Sequence, residues 1–311
     1  LAVVQFGAVL AVLLVYSFFA HRRTAAIRLR AAVETSRPVR GTGPQLFLAA
    51  NLVFMGLLLG VPLGVLVVRS IDFGSSRFWS YYSDLGSARR GSVLFVPPIE
   101  AVRNSLMFAL GATVIALVIG GLASLAIAGS GSRVTRGARW LDLALMIPLG
   151  VSAVTVGFGF LIALDRPPLD LRDSLWLVPL AHALVAVPFV IRAMVPALRS
   201  IDPSVRDSAA VLGASPSRAW IEVDLPIVSR AATTAAGFAF AVSLGEFGAT
   251  AFLYATRTDW PTLPIAIYRF LGQPGPSNFG AAMALSSILM LLTVVVVLLI
   301  DRLRVGSVGE F

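Results

Sequence analysis

Seven long apolar stretches divide the chain, at 1–20, 47–68, 106–128, 141–164, 175–198, 231–255 and 279–300. Each has roughly the 20 residues that carry an α-helix across a hydrocarbon core about 30 Å thick. The pattern predicts an all-α polytopic membrane protein with a core of six transmembrane helices over 47–303, preceded by one N-terminal transmembrane helix at 1–20. Between them, 21–46 is rich in Arg, Ala, Gly and Pro and reads as a cytoplasmic linker. A short tail covers 304–311.

One interspan segment departs from this pattern. Over 202–226 the chain is polar, and two short amphipathic helices are predicted at 205–212 and 217–223, hinged at Gly213 and ended by Leu225-Pro226. Ala209 and Ala210 permit close approach, Gly213 permits a sharp turn, and Trp220 offers a large apolar anchor. That shape suits docking onto another protein at the membrane face.

Composition narrows the chemistry. With 57% hydrophobic residues, 13% charged and a mean hydropathy of +0.87, the chain belongs in a bilayer. Cysteine is absent, which excludes disulfides and thiolate metal sites. All 25 basic residues are Arg, so there is no Walker A lysine, Schiff base or lysine general base. Only His21 and His182 offer imidazole, and neither a His-Glu-x-x-His helix nor a Gly-x-Ser-x-Gly elbow occurs. No enzyme and no metal site is expected, and any ATP that drives the protein binds another chain.

Arginine placement sets the orientation, because short cytoplasmic loops are enriched in positive charge. One set of alternate loops holds Arg22, Arg23, Arg28, Arg30, Arg37, Arg40, Arg133, Arg136, Arg139, Arg199, Arg206, Arg218, Arg230, Arg302 and Arg304. The opposite set holds Arg69, Arg77, Arg89, Arg90, Arg166, Arg172, Arg257 and Arg269. Fifteen against eight places 202–226 and the C-terminus in the cytoplasm and position 1 outside. The net charge of +9 is thus a topology signal, secondarily one for anionic lipid, and gives no argument for nucleic acid.

Several features within and beside the spans suggest packing or a path. Phe78, Trp79, Tyr81, Tyr82, Trp176 and Trp260 lie on the outer side as an aromatic belt or a docking lid. Gly56, Gly60 and Gly64 form a smooth stripe for close helix packing. Pro148, Gly150, Gly157, Gly159, Pro188 and Pro196 interrupt two spans, as in helices that line a cavity.

Ionisable residues inside a membrane call for a partner or a role. At about 1.5 Å per residue, Glu246 sits roughly 13 Å and His182 roughly 10 Å from the outer ends of their spans. Arg192 is only about 9 Å from the cytoplasmic end, within snorkelling reach. Depth therefore favours a Glu246–His182 pair over Glu246–Arg192. Glu246 is either a structural carboxyl bonded to His182 and to freed backbone, or a cavity charge that meets a cationic solute.

Residues 207–226 resemble the cytoplasmic signature loop of bacterial ABC importer permeases. That loop begins Glu-Ala-Ala, has Gly four residues after the second Ala, and closes with Ile-x-Leu-Pro ten residues after the Gly. Here those places hold Asp207, Ser208 and Ala209, then Gly213, then Val223, Asp224, Leu225 and Pro226, with Asp for Glu, Ser for Ala and Val for Ile. Arg103-Asn104-Ser105-Leu106 resembles the start of a core helix in these permeases. Leu244-Gly245-Glu246-Phe247-Gly248-Ala249-Thr250, with Pro261-Thr262-Leu263-Pro264 and Ile267-Tyr268, is most similar to the thiamine and ferric-iron branch. Many of that branch are fused duplicates, in which 1–20 corresponds to the last span of an upstream unit.

The resemblance implies a permease of the bacterial inner membrane. Its partners are an ABC ATPase dimer that carries ATP and magnesium, an extracytoplasmic solute-binding protein, a second permease unit and membrane lipid. No cofactor is implied in this chain. Asp207, Ala209, Ala210, Gly213, Trp220, Leu225 and Pro226 are then the ATPase-coupling residues, Asp207 taking an arginine of the ATPase. Glu246 and His182 line the translocation path, with thiamine or ferric iron as solute. A proton-coupled secondary transporter or channel that uses Glu246 and His182 is the alternative.

Overall fold

A computed structural model describes residues 39–71, 78–87, 94–129, 135–164, 166–168, 170–171, 174–254 and 259–305, with positions 4, 7, 8, 11 and 12. Regular structure among the described residues is helical, with no strand. In chain order the helices are α1 (Thr42–Arg69), α2 (Ser80–Ser83), α3 (Pro98–Ala128), α4 (Arg136–Gly150), α5 (Ala153–Ala163) and α6 (Leu177–Ser200). There follow α7 (Pro203–Val211), α8 (Pro216–Ala219), α9 (Leu225–Leu244), α10 (Gly248–Tyr254), α11 (Leu263–Leu271) and α12 (Pro276–Val305). The span expected at 1–20 lies outside the described residues apart from those five positions, as do most of the linker and the tail.

Two expected spans are broken. The stretch 141–164 is two helices, α4 and α5, bent by 106°. Pro148 removes one helical donor and Gly150 weakens the turn that follows, so the helix fails before Ala153. The stretch 231–255 parts at Gly245–Phe247, where α9 ends and α10 begins. By contrast α6 stays continuous through Pro188 and Pro196. Helix α3 starts at Pro98 rather than at 106, because proline at the first turn and Glu100 beside the positive helix end favour initiation there. The nine-residue α11 fills part of what reads as an outer loop, and it is too short to span.

Helices α3, α6 and α9 form the core. In lipid, helices associate through small residues that let backbones approach. Ala112, Ala116 and Gly120 on α3, and Ala235 and Ala239 on α9, provide that surface; each of the four alanines is 0% exposed. At Gly120 an added Cβ would lie 2.8 Å from Val190 on α6. The expected Gly56, Gly60 and Gly64 stripe does not pack this way. Nothing lies within 4 Å of a Cβ at any of the three, and α1 buries no residue. Helix α1 packs mainly against α12, and its three glycines meet no described residue.

A second cluster joins α11 and α12 to Leu85, Leu94 and Ala101. Here two sequence segments far apart in the chain meet. Asn104 Nδ2 donates to the Pro261 carbonyl at 3.1 Å, and the Leu263 amide donates to Ser105 Oγ at 2.7 Å. The outer aromatics divide in two. Tyr82 Oη donates to Ser70 Oγ at 2.7 Å and the Tyr81 ring lies on Gly280, whereas Phe78 and Trp79 stay exposed.

Candidate functional site

The polar segment forms a structured loop at the membrane end where α3 and α6 finish and α9 begins. Asp202 caps α7 by accepting from the Ser204 amide at 2.9 Å, which holds its carboxyl below the usual carboxylate range. Ser215 accepts from the Arg218 amide at 3.3 Å and caps α8, with Pro216 at its first turn.

The turn between α7 and α8 explains the Ala-to-Gly spacing. The Ala214 amide donates to the Ala209 carbonyl at 2.9 Å, and the Gly213 amide to the Ala210 carbonyl at 3.0 Å. This is the Schellman pattern, which needs a left-handed residue one place beyond the helix cap. Gly213 supplies it with φ +84°. Ala209 and Ala210 therefore work as the carbonyl sources of the turn as well as small surface residues.

The expected stop at Leu225-Pro226 is not found. From Trp220 to Asp224 the chain is one π-helical turn, in which the Leu225 amide reaches back to the Trp220 carbonyl, and the helix continues into α9. Proline at 226 lacks an amide and crowds the carbonyl four residues back, and the wider π turn relieves both effects. The second short helix is thus joined to the span rather than ended before it.

Asp207 and Gly213 are exposed, and Asp207 has no ion-pair partner among the described residues. Trp220 is 39% exposed and turns partly inward, onto a cavity of about 600 Å³. The cavity separates α7 and α8 from the ends of α3 and α6 at Leu125, Ala128 and Leu198. Arg199 donates to the Ile127 carbonyl at 3.3 Å and so ties those two helix ends together.

Sequence reasoning missed two features here. Val211 and Leu212 are 89% and 87% exposed at the apex, an apolar pair raised on a polar loop. Their position just before Gly213 was the available signal. The other is an ion pair: Arg206 Nε lies 2.9 and 3.0 Å from the two Asp224 oxygens, and the Asp224 side chain is 4% exposed. No periodicity links residues on two different helices.

Inside the membrane region the expected Glu246–His182 pair is not made. His182 is 1% exposed, with Nδ1 2.8 Å from Ser243 Oγ and Nε2 2.6 Å from Thr250 Oγ1. Ser243 and Thr250 flank Glu246 in sequence, so His182 meets this segment of the chain through other residues. The Glu246 carboxylate turns away to accept from the Ala249 amide at 3.0 Å, capping α10. Beyond this break α10 packs tightly on α5: a Cβ on Gly157 of α5 would lie 2.5 Å from the Ala249 carbonyl oxygen. Arg192 is exposed on α6, on the same open side as Phe189 and Pro196.

No family model matches the chain. It is nevertheless similar to transport permeases. A Salmonella paratyphi A permease protein named for 2-aminoethylphosphonate transport, PhnV, is 29% identical over 210 residues, covering 67% of this chain and 76% of that protein. The molybdenum transport system permease protein ModB of Mycobacterium tuberculosis is 29% identical over 260 residues, 80% of this chain and 89% of that protein. ModB of Haemophilus influenzae is 31% identical over 156 residues, 46% of this chain and 68% of that protein. A polytopic helical membrane fold and relatives of this kind lead to one conclusion: the chain belongs to the permease subunits of bacterial binding-protein-dependent ABC importers.

Proposed function

We propose that the loop over 202–226 seats on a separate ATPase at the cytoplasmic face and passes its motion to the membrane helices. The observation that carries this reading is the exposed Val211-Leu212 apex, since apolar side chains raised on a capped polar loop have a use only against a partner. Asp207, exposed one turn before them and without an ion-pair partner among the described residues, is available to a partner arginine. An extracytoplasmic binding protein delivers solute to the other face, and a second permease unit, fused upstream or separate, completes the path. The unit over 47–303 carries the path. Replacing Val211 and Leu212 together by Ser tests the seating: the ATPase should no longer co-purify while the subunit stays folded. Undiminished capture of the ATPase would refute seating through this apex, and failure of the unaltered chain to capture any ATPase would favour a secondary transporter.

Thiamine or ferric iron, carried past Glu246, is the reading from sequence resemblance. Three observations favour a solute with an anionic group instead. The Glu246 carboxylate already serves α10, Arg192 is an exposed cation in a core membrane helix, and the relatives are named for a phosphonate and for molybdenum, which water carries as an oxyanion. Within snorkelling reach of the cytoplasmic end, the Arg192 guanidinium can meet water and an oxyanion on the path. Cells that depend on this importer should then take up 2-aminoethylphosphonate or molybdate and lose that uptake with Arg192→Gln. Uptake of thiamine or ferric ion, insensitive to Arg192→Gln, restores the first reading.

A further inference from the structure

The loop must do more than touch an ATPase; a push on α7 has to reach a membrane helix. The 600 Å³ cavity lies between α7 and the ends of α3 and α6, so on that side α7 is held through its two-residue connection to α6, where Ile201 is buried in the core. The chain itself offers a turn at Gly213, which bends easily. One rigid link remains across that turn. Arg206 on α7 holds both carboxylate oxygens of Asp224, and Asp224 sits in the π turn that runs without a break into α9.

We propose that Arg206 and Asp224 are positioning residues that latch α7 to the base of α9 and make the two one lever. This rests on the reading that the loop seats on the ATPase, and it adds how the stroke is transmitted. A buried carboxylate holding one guanidinium nitrogen through both oxygens resists sliding, because moving Arg206 away would strand the charge of Asp224. Arg218 and Glu222, a second pair at 2.8 Å on the exposed side of the same segment, are both solvated and make no such link.

The chain has no cysteine, so a single introduced thiol reports without interference. Gly245 is exposed, and a Cβ there would meet only the Ala241 carbonyl at 3.8 Å, which makes Gly245→Cys a tolerable reporter at the helix break. In the assembled importer in nanodiscs, its labelling rate by a water-soluble maleimide is compared without nucleotide and after trapping with ATP and vanadate. A several-fold change is expected with the latch intact. Asp224→Asn should keep ATPase capture but lose most of that change, and the swap Arg206→Asp with Asp224→Arg should restore it. A subunit that merely folds less well would lower capture and labelling together. Should Asp224→Asn fail to assemble, Arg206→Cys with Asp224→Cys, in a chain that keeps Gly245, is joined by a short bis-thiosulfonate instead, and ATP-driven solute uptake should survive the link. A full labelling change in Asp224→Asn, or loss of uptake on covalent linkage, overturns the latch. Failure of the unaltered chain to capture an ATPase is a separate result and rejects the seating itself.

Discussion

His182 Nδ1 and Ser243 Oγ lie 2.8 Å apart in a buried node that also takes in Thr250, whose Oγ1 is 2.6 Å from Nε2. Three helices meet there: α6, the end of α9 and the start of α10. Thr250 Oγ1 also donates weakly to the Glu246 carbonyl at 3.5 Å, which leaves its lone pairs for the ring. Neutral histidine with the proton on Nε2 then satisfies every member, with Ser243 donating to Nδ1.

Removing the ring alone should therefore cost more than removing the whole node. His182→Leu strands two buried hydroxyls and should destabilise by about 1–3 kcal/mol. Combining it with Ser243→Ala and Thr250→Ala removes the stranded groups and should recover part of that loss. Thermal unfolding of the purified subunit measures both. Equal loss in the single and triple variants would count against the node.

How much of this was legible from the residues depends on the range of the interaction. The depth estimate put His182 and Glu246 at one level, and the residues bonded to His182 are those flanking Glu246. The partner was not legible, because it depends on the break at Gly245–Phe247, which turns the carboxylate toward Ala249. Helix period likewise marked Gly56, Gly60 and Gly64 for close packing and passed over Ala112, Ala116 and Gly120, yet it is the latter that face α6. In the loop, the Ala209-to-Gly213 interval is local and mapped directly onto hydrogen bonds. The Arg206–Asp224 pair is set by the path of the turn, and no local pattern contains it.

The contrast between a packed and an open glycine is itself testable. Gly157→Ala would place a methyl 2.5 Å from a backbone oxygen that cannot yield, so α5 and α10 must separate, at about 1–3 kcal/mol. Gly60→Ala meets nothing and removes a flexible residue from a helix, for a gain of up to about 1 kcal/mol. Thermal unfolding should lower the midpoint for the first and leave it level or raised for the second.

Asp202 gives a pH dependence confined to the first turn of α7. Its folded carboxyl is held below the ordinary range by the Ser204 amide, so it stabilises that turn above the ordinary carboxylate pKa. The stabilisation is lost as pH falls through the lower folded value. Hydrogen exchange of the Ser204–Arg206 amides should quicken, beyond its intrinsic trend, as pH drops below about 4. Asp202→Asn, which caps without titrating, should show no such excess. An unchanged profile in both proteins would remove the cap from the account.

Gly213 separates conformation from bulk. With φ +84° it needs a residue that accepts the left-handed region, where a Cβ costs about 1–2 kcal/mol and asparagine is the best tolerated substitute. An added Cβ at Gly213 finds open space, so any effect of a small substitution comes from the backbone and not from a clash within the chain. ATPase capture should therefore rank Gly213→Asn above Gly213→Ala, with β-branched Gly213→Val lowest. Against a total stability of about 5–15 kcal/mol, none of the three should unfold the subunit. Capture that instead falls with side-chain size, placing Ala above Asn, would mean that the partner packs against this position and that the turn itself is not what it reads.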